Sequence, residues 1–234
     1  KNERDMQIGD FHKLFYVRQE QIDIYVLSPE QLKFLIHDES FEQSLTPSLQ
    51  RIKDVFVFGC TTGLRFSDIF TLTNKNFEQQ NGEWYLKLRS QKTKVFSFIK
   101  LPEYTVNIYK KYRSKSAKTA VFKPISLFNF NKNLKLLGER AEFTDIVEVA
   151  REKQGSTKKI NKPVRFCDKM SSHMMRRTAI TTLIILGMPE HLVRKISGHS
   201  HSSKSFNRYV HYAQVYMDKE IEKVHIKLNL KLKN

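Results

Sequence analysis

The stretch between Thr46-Pro47 and Gly63 constrains the fold most. SLQRIKDVFVFGCTTG places Leu49, Ile52, Val55 and Phe56 at helical spacing. Thr before Pro is a helix start, because the hydroxyl can accept from a free backbone N–H and the ring already holds a helical φ. Thr61-Thr62-Gly63 ends the helix, and Arg65 sits in the following turn before a short helix beginning at Ser67. The same grammar recurs along the chain. Ser28-Pro29-Glu30 starts a helix to about His37, with Leu32, Leu35 and Ile36 inward. SSHMMRRTAITTLIILG is a helix capped by Ser171 or Ser172 and stopped by Gly187. MPEHLVRKISGH is a short helix with Pro189 near its start and Gly198 after its end. Residues 104–113 read as helical, 127–150 as containing helical pieces, and 205–226 as one or two helices.

Residues 84–101 have a different period. WYLKLRS and KVFSFIKL alternate apolar and polar residues and are joined at Gln91-Lys92-Thr93, which predicts a hairpin. GSTKKINKP at 155–163 reads as an exposed basic loop. The predicted fold class is therefore α+β, mainly α: a helical bundle with a small antiparallel β-sheet at about 80–101.

Charge narrows the partner. Of 234 residues, 41 are Lys or Arg and 24 are Asp or Glu, a net charge of +17. Such an excess favours a polyanion, whose counterions are released when basic side chains replace them. Between Leu86 and Lys118 there are ten basic residues and one acid, Glu103. That stretch and 151–177 are the expected contact surfaces. The two cysteines, Cys60 and Cys167, are far apart, which argues against a disulfide scaffold and for a reducing compartment. No run approaches the roughly 18 apolar residues of a membrane span, so the expected location is the cytoplasm, with no membrane partner. Residues 1–26 show no clean periodicity and read as a linker or arm entering the domain.

The densest chemical signal lies between Ser171 and Tyr209. His173 and Arg176 are three apart and share a helix face near its N-terminus, where free N–H groups favour an anion. Arg177 points about 100° away. Taken alone, this pattern is equally a basic cap on a helix. His199 follows Gly198 in a turn, and His201 makes a His-x-His pair without a nearby third ligand, too little for a structural zinc site. Tyr209 stands in a segment that also holds Tyr212 and Tyr216, where a core role is the default. Arg65, with Asp68 three residues on, is either a helix-end ion pair or a phosphate clamp whose fork Asp68 holds.

Together these residues carry a resemblance. TGLRFSDI, a lysine in a hairpin turn, HMMR, SGH and RYVHYA, in that order, closely resemble the catalytic domain of the tyrosine recombinase or phage integrase family. The pattern covers roughly 27–226, and the Lys92-Thr93 pair places the resemblance nearest to integrases of Bacteroides-type mobile elements. The resemblance implies a site-specific recombinase that cleaves and rejoins double-stranded DNA through a 3′-phosphotyrosine. Its alternatives are a type IB topoisomerase-like enzyme and an inactive DNA-binding module.

By the same resemblance, Arg65 and Arg176 bind the nonbridging phosphate oxygens, propped at Arg65 by Asp68. Lys92 protonates the leaving 5′-oxygen, His173 is the acid/base, His199 hydrogen-bonds the phosphate, and Tyr209 is the nucleophile. Lys94 competes with Lys92. Tyr212 competes with Tyr209, because the gap after His199 is one residue longer than usual in the family. Arg89, Lys94 and Arg177 are expected DNA contacts. No metal or other cofactor is implied. The implied organisation is an arm at 1–26 leading from an N-terminal DNA-binding domain, a catalytic domain at 27–215, and a segment at 216–234 exchanged between subunits of a DNA-bound tetramer. A bacterial, nucleoid-associated enzyme fits that reading.

Overall fold

The computed structural model describes residues 24–91, 96–152, 159–200 and 203–229. Helix α1 (Pro29–His37) opens with a reciprocal cap. The Gln31 N–H donates to Ser28 Oγ at 3.2 Å, and the Ser28 N–H donates to Gln31 Oε1 at 3.0 Å. A short α2 (Glu39–Ser44) leads into α3 (Pro47–Thr62), capped by Thr46. Helix α3 is buried nearly all round, with Leu49, Ile52, Val55 and Phe56 among its core residues. A helix covered on nearly every side sits at the centre of its domain, and the other elements are arranged around this one. Gly63, at φ 65°, ends it in the left-handed conformation that a side chain would disfavour.

Helix α4 (Phe66–Ile69) follows Arg65 and leads to a three-stranded antiparallel meander of β1 (Phe77–Gln80), β2 (Glu83–Arg89) and β3 (Phe96–Lys100). The predicted hairpin is β2–β3, but the sheet begins one strand earlier. Asn81 and Gly82 join β1 to β2 with φ values of 49° and 83°. Two consecutive positive φ angles suit a tight hairpin turn of type I′, for which Asn-Gly is the favoured pair. Strand β1, FEQQ, has one buried side chain, Phe77, so its own pattern does not announce a strand.

Helices α5 (Glu103–Tyr112) and α6 (Leu127–Arg140) come next. The helical piece expected within 127–150 is α6. Residues 146–150, beyond it, and 159–163, whose expected loop requires correction, are strands. They belong to an antiparallel ribbon of β4 (Ile146–Glu152) and β5 (Lys159–Arg165). Pairing supplies the order that β5 lacks in apolar residues. Pro163, which has no N–H, stands opposite Glu148 in a two-stranded sheet where both strands are edges and a missing donor is tolerated.

Short α7 (Phe166–Lys169) then precedes α8 (Ser172–Ile185), α9 (Glu190–Ser197) and α10 (Lys204–Asn229). The last is one helix of 26 residues, not two. Among the described residues, no helix is long and apolar enough to cross a membrane.

Helices α3 and α8 pack closely, and Gly59 lets them do so. A Cβ at Gly59 would lie 2.4 Å from Met175 Sδ and 2.9 Å from Met175 Cβ. The thioether end can swing aside, whereas the Met175 Cβ cannot without moving α8. On an exposed helix Gly→Ala would gain about 1 kcal/mol in propensity; here overpacking of about 1–3 kcal/mol outweighs it. Gly59→Ala is therefore expected to lower the thermal midpoint by roughly 2–8 °C, measured by calorimetry or circular dichroism.

Candidate active site

The α3 stop delivers Arg65. The chain turns at Gly63 and Arg65 becomes the N-cap residue of α4. Arg65 was expected to lean directly on Asp68, but the structure inserts a third residue. Arg65 Nη1 donates to Ser90 Oγ at 2.9 Å, and Ser90 Oγ donates to Asp68 Oδ2 at 3.1 Å. The direct Arg65–Asp68 separation is 4.0 Å. The other oxygen, Asp68 Oδ1, accepts the Gln91 N–H at 3.2 Å. A buried carboxylate thus holds both the guanidinium, through Ser90, and the second residue after β2. Ser90 was missed in the sequence, where its only signal is its place beside the Gln91-Lys92-Thr93 turn. Lys92 and Lys94 lie outside the described residues. Arg89 ends β2 with its side chain exposed.

Helix α8 delivers His173 and Arg176. Arg176 is the fifth residue of the helix rather than part of its first turn, and it is buried, not a surface charge. Its Nη1 donates to Gly63 O at 2.8 Å and its Nη2 to Ser197 O. Those carbonyls lie at the ends of α3 and α9, each followed by or carried on a left-handed glycine, Gly63 or Gly198. Helix C-termini carry partial negative charge and unpaired carbonyls, so one guanidinium ties two helix ends together. Burial, and then Arg65, push the Arg176 pKa down to about 10, which still leaves it charged at neutral pH. Among the described residues no carboxylate pairs with it, and three of its five N–H donors remain available. Arg65, Ser90, Arg176, Ser197 and Gly198 line one small cavity.

His173 shares the helix with Arg176 but stands at the exposed rim. Partial covering of the ring, then Arg177, Arg176 and Arg65, lower its pKa and favour the neutral imidazole. Arg177 is half-buried.

His199 follows Gly198, whose φ of 64° turns the chain out of α9. Its Nδ1 lies 2.8 Å from Ser197 Oγ. Its ring packs against Phe206, and meets Tyr209 edge to face at 5.9 Å between centroids. Burial and the cations of Arg176, Arg65 and Arg194 push its pKa down to about 4. His201 lies outside the described residues.

Helix α10 delivers Tyr209, only 6% exposed, in a small cluster with Ile180, Val193 and Phe206. Tyr209 is close enough to Arg176 to act on its charge. Tyr212, nearly one turn later, is half-buried, and burial alone raises its pKa. A residue absent from the sequence reading, Arg194, fastens the α9–α10 junction. It stacks on Phe206 at 3.9 Å and donates to Ser200 O at 3.1 Å and Asn207 Oδ1 at 3.0 Å. The arrangement sets two guanidiniums on one small cavity, with His173, His199 and Tyr209 near enough to Arg176 to interact with its charge, a set suited to an anionic group attacked by oxygen.

Comparison with known proteins gives a consistent picture. The model of the phage integrase family matches residues 26–215. No curated protein matches the chain. Among solved structures, the XerH site-specific recombinase bound to palindromic difH substrate, in a post-cleavage complex, is 16% identical with a TM-score of 0.57, covering 84% of this chain and 52% of that one. The Tn1549 transposon integrase in complex with circular intermediate DNA is 19% identical with a TM-score of 0.50, covering 88% and 65%. The catalytic domain of bacteriophage HP1 integrase is 17% identical with a TM-score of 0.50, covering 86% and 95%. The chain thus spans about half the length of the XerH recombinase and nearly all of a catalytic domain. At these identities the likeness shows a shared fold.

Proposed function

The chain belongs to the phage integrase family, and from that premise we propose that residues 27–215 are the catalytic domain of a site-specific DNA recombinase working through a covalent phosphotyrosine. One observation carries the reading. Arg65 and Arg176 line one cavity, Arg176 has no carboxylate partner among the described residues, and Tyr209 lies beside it. A buried cation left without a counter-ion is costly unless a ligand supplies one, and a DNA phosphate is that ligand.

The step is a transesterification. Tyr209 Oη forms a bond to phosphorus as the bond from phosphorus to the 5′-oxygen breaks, leaving a 3′-phosphotyrosine and a free 5′-hydroxyl. Arg65 and Arg176 hold the nonbridging oxygens, on which negative charge accumulates. The phenol proton passes to His173, which its lowered pKa keeps neutral and able to accept at neutral pH. Lys92 supplies the proton for the 5′-oxygen. His199 hydrogen-bonds the phosphate. Arg89, Lys94 and Arg177 are further contacts to the DNA in this reading. Rejoining reverses the step with a different 5′-hydroxyl, and the phosphotyrosine conserves the bond energy.

The partner is double-stranded DNA. The Tn1549 integrase structure is a complex with circular intermediate DNA and the XerH structure a complex with its difH substrate, which supports that assignment. Tetramer assembly on DNA, exchange of the segment 216–234 between subunits, an arm at 1–26 and association with the nucleoid belong to the same proposal. So does the narrower kinship with Bacteroides-type elements, supported by Lys92-Thr93.

The deciding experiment offers the protein a nicked half-site duplex, whose cleavage releases a short fragment and traps the covalent complex, and reads that complex on a denaturing gel. Wild type and Tyr212→Phe are expected to form it and Tyr209→Phe to form none; a complex from Tyr209→Phe would remove the assigned nucleophile. Relaxation of a plasmid lacking any recombination site would favour the topoisomerase alternative. Lys92→Ala should slow cleavage, with speed restored on DNA carrying a 5′-sulfur leaving group, which needs no proton. Absence of that rescue would sink the leaving-group role. Ser90→Ala should slow cleavage about tenfold, the worth of one oriented hydrogen bond, and lower the thermal midpoint, because Asp68 Oδ2 loses its buried donor; an unchanged rate in the folded variant would show that Arg65 needs no brace.

A further inference from the structure

Ser197 is the last residue of α9 and is buried. Its Oγ lies 2.7 Å from Val193 O, 3.4 Å from Arg194 O and 2.8 Å from His199 Nδ1. A hydroxyl carries one hydrogen and two lone pairs. Two oxygens 2.7 Å apart attract only if a hydrogen lies between them. The Ser197 hydrogen therefore goes to Val193 O, the usual back-bond of a helical serine. Oγ then meets Nδ1 with a lone pair, and Nδ1 must be the atom that carries a hydrogen.

We propose that Ser197 is a positioning residue that holds His199 in the Nδ1–H tautomer, so that His199 can donate a hydrogen bond to the DNA phosphate only after Nε2 takes up a proton. In the neutral ring Nε2, the nitrogen not engaged by Ser197, bears a lone pair. A lone pair repels a phosphate oxygen, and an added proton makes the contact a charge-assisted hydrogen bond. This rests on the reading that Arg65 and Arg176 hold a DNA phosphate beside His199.

The surrounding charges fit such a coupling. Arg176 from α8, Arg65 from the turn before α4 and Arg194 from α9 all act on His199 and keep it neutral. From α10 it meets Tyr209 and the apolar Phe206. Among the described residues no carboxylate contributes to its electrostatics; Glu190 is turned to Arg194 at 3.7 Å. A phosphate entering the cavity offsets Arg65 and Arg176, which removes the penalty on imidazolium at the moment a donor is needed. DNA binding thus takes up a proton at His199, and acid conditions favour that step while they oppose proton acceptance by His173.

The tautomer is read in the free protein by long-range proton–nitrogen NMR correlation near neutral pH, with the His199 signals assigned by their loss in His199→Gln. Wild type should show a protonated Nδ1 and a bare Nε2. Ser197→Ala should revert to the Nε2–H form that free imidazole prefers, and Ser197→Thr, which keeps the hydroxyl, should follow wild type. An Nε2–H pattern in wild type overturns the proposal. The coupling is read by calorimetric titration with linear duplex DNA in buffers of different ionisation enthalpy, where Ser197→Ala should take up about one proton fewer than wild type. Equal uptake overturns the coupling. Failure of the phosphate reading itself shows elsewhere, as the absence of any covalent complex on the nicked half-site, and leaves the tautomer result standing.

Discussion

The contact on which the site depends is the Arg176 guanidinium, held between Gly63 O and Ser197 O. It fixes the ends of α3 and α9 relative to α8, and those ends launch Arg65 and His199. Glycine at both stops is part of the same device. A left-handed residue ends each helix abruptly and leaves a carbonyl that the guanidinium can reach. Neutral carbonyls satisfy donors without cancelling the charge. Arg176 therefore stays a cation in a partly desolvated place, with its pKa pulled down but not lost. An ion pair there would have been more comfortable for the fold and useless for holding an anion.

The contrast with the other buried charges makes the point. Lys53 and Asp54, inside α3, sit 3.5 Å apart; Asp54 also takes Lys111 at 2.7 Å and the Tyr112 hydroxyl at 2.8 Å. That group closes on itself, and its electrostatics serve packing. Around Arg176 the charges acting on the two histidines run in one direction: Arg65, Arg176 and Arg194 all depress His199, and Arg65, Arg176 and Arg177 depress His173. Like charges gathered without compensation are where a fold stores the capacity to bind. Asp68 belongs to neither class. Its two oxygens are spent on Ser90 and the Gln91 N–H, so it orients Arg65 through a neutral intermediary without discharging it.

Much of this is legible in the sequence, for identifiable reasons. Helix starts and stops are local: Ser28-Pro29, Thr46-Pro47, Gly63, Gly187 and Gly198 each act within a few residues, and the helices begin or end there. Non-local facts are harder to read. Strand β5 is ordered by pairing with β4, and its own residues, KINKPVR, carry no strand period. Strand β1 is in the same position, although Asn81-Gly82 marked its turn. In the site, the residues that bear charge stand out in sequence, whereas those that orient them do not. Ser90 and Ser197 are common residues whose meaning lies in partners 22 residues and two residues away. Arg194 was invisible for a related reason: its work is done across two helices on Phe206 and Asn207.

Tyr209 is held differently from the cations. The arginines rest on the main core, built around α3 and continuous from Leu27 to Met175. Tyr209 rests on a separate cluster of four buried side chains, Ile180, Val193, Phe206 and Tyr209, closed over by Arg194. Farther along α10, Val215, Ile221, Val224 and Ile226 are exposed, so that half of the helix adds little to its own anchoring within the chain. Local stability follows buried apolar contact; loosening α10 costs less than disturbing the arginine cage. The fold thereby separates two tasks that recombination would set at odds. On the proposed roles, the groups assigned to hold a phosphate rest on the larger core, and the tyrosine assigned as nucleophile is carried on an element with less buried apolar support.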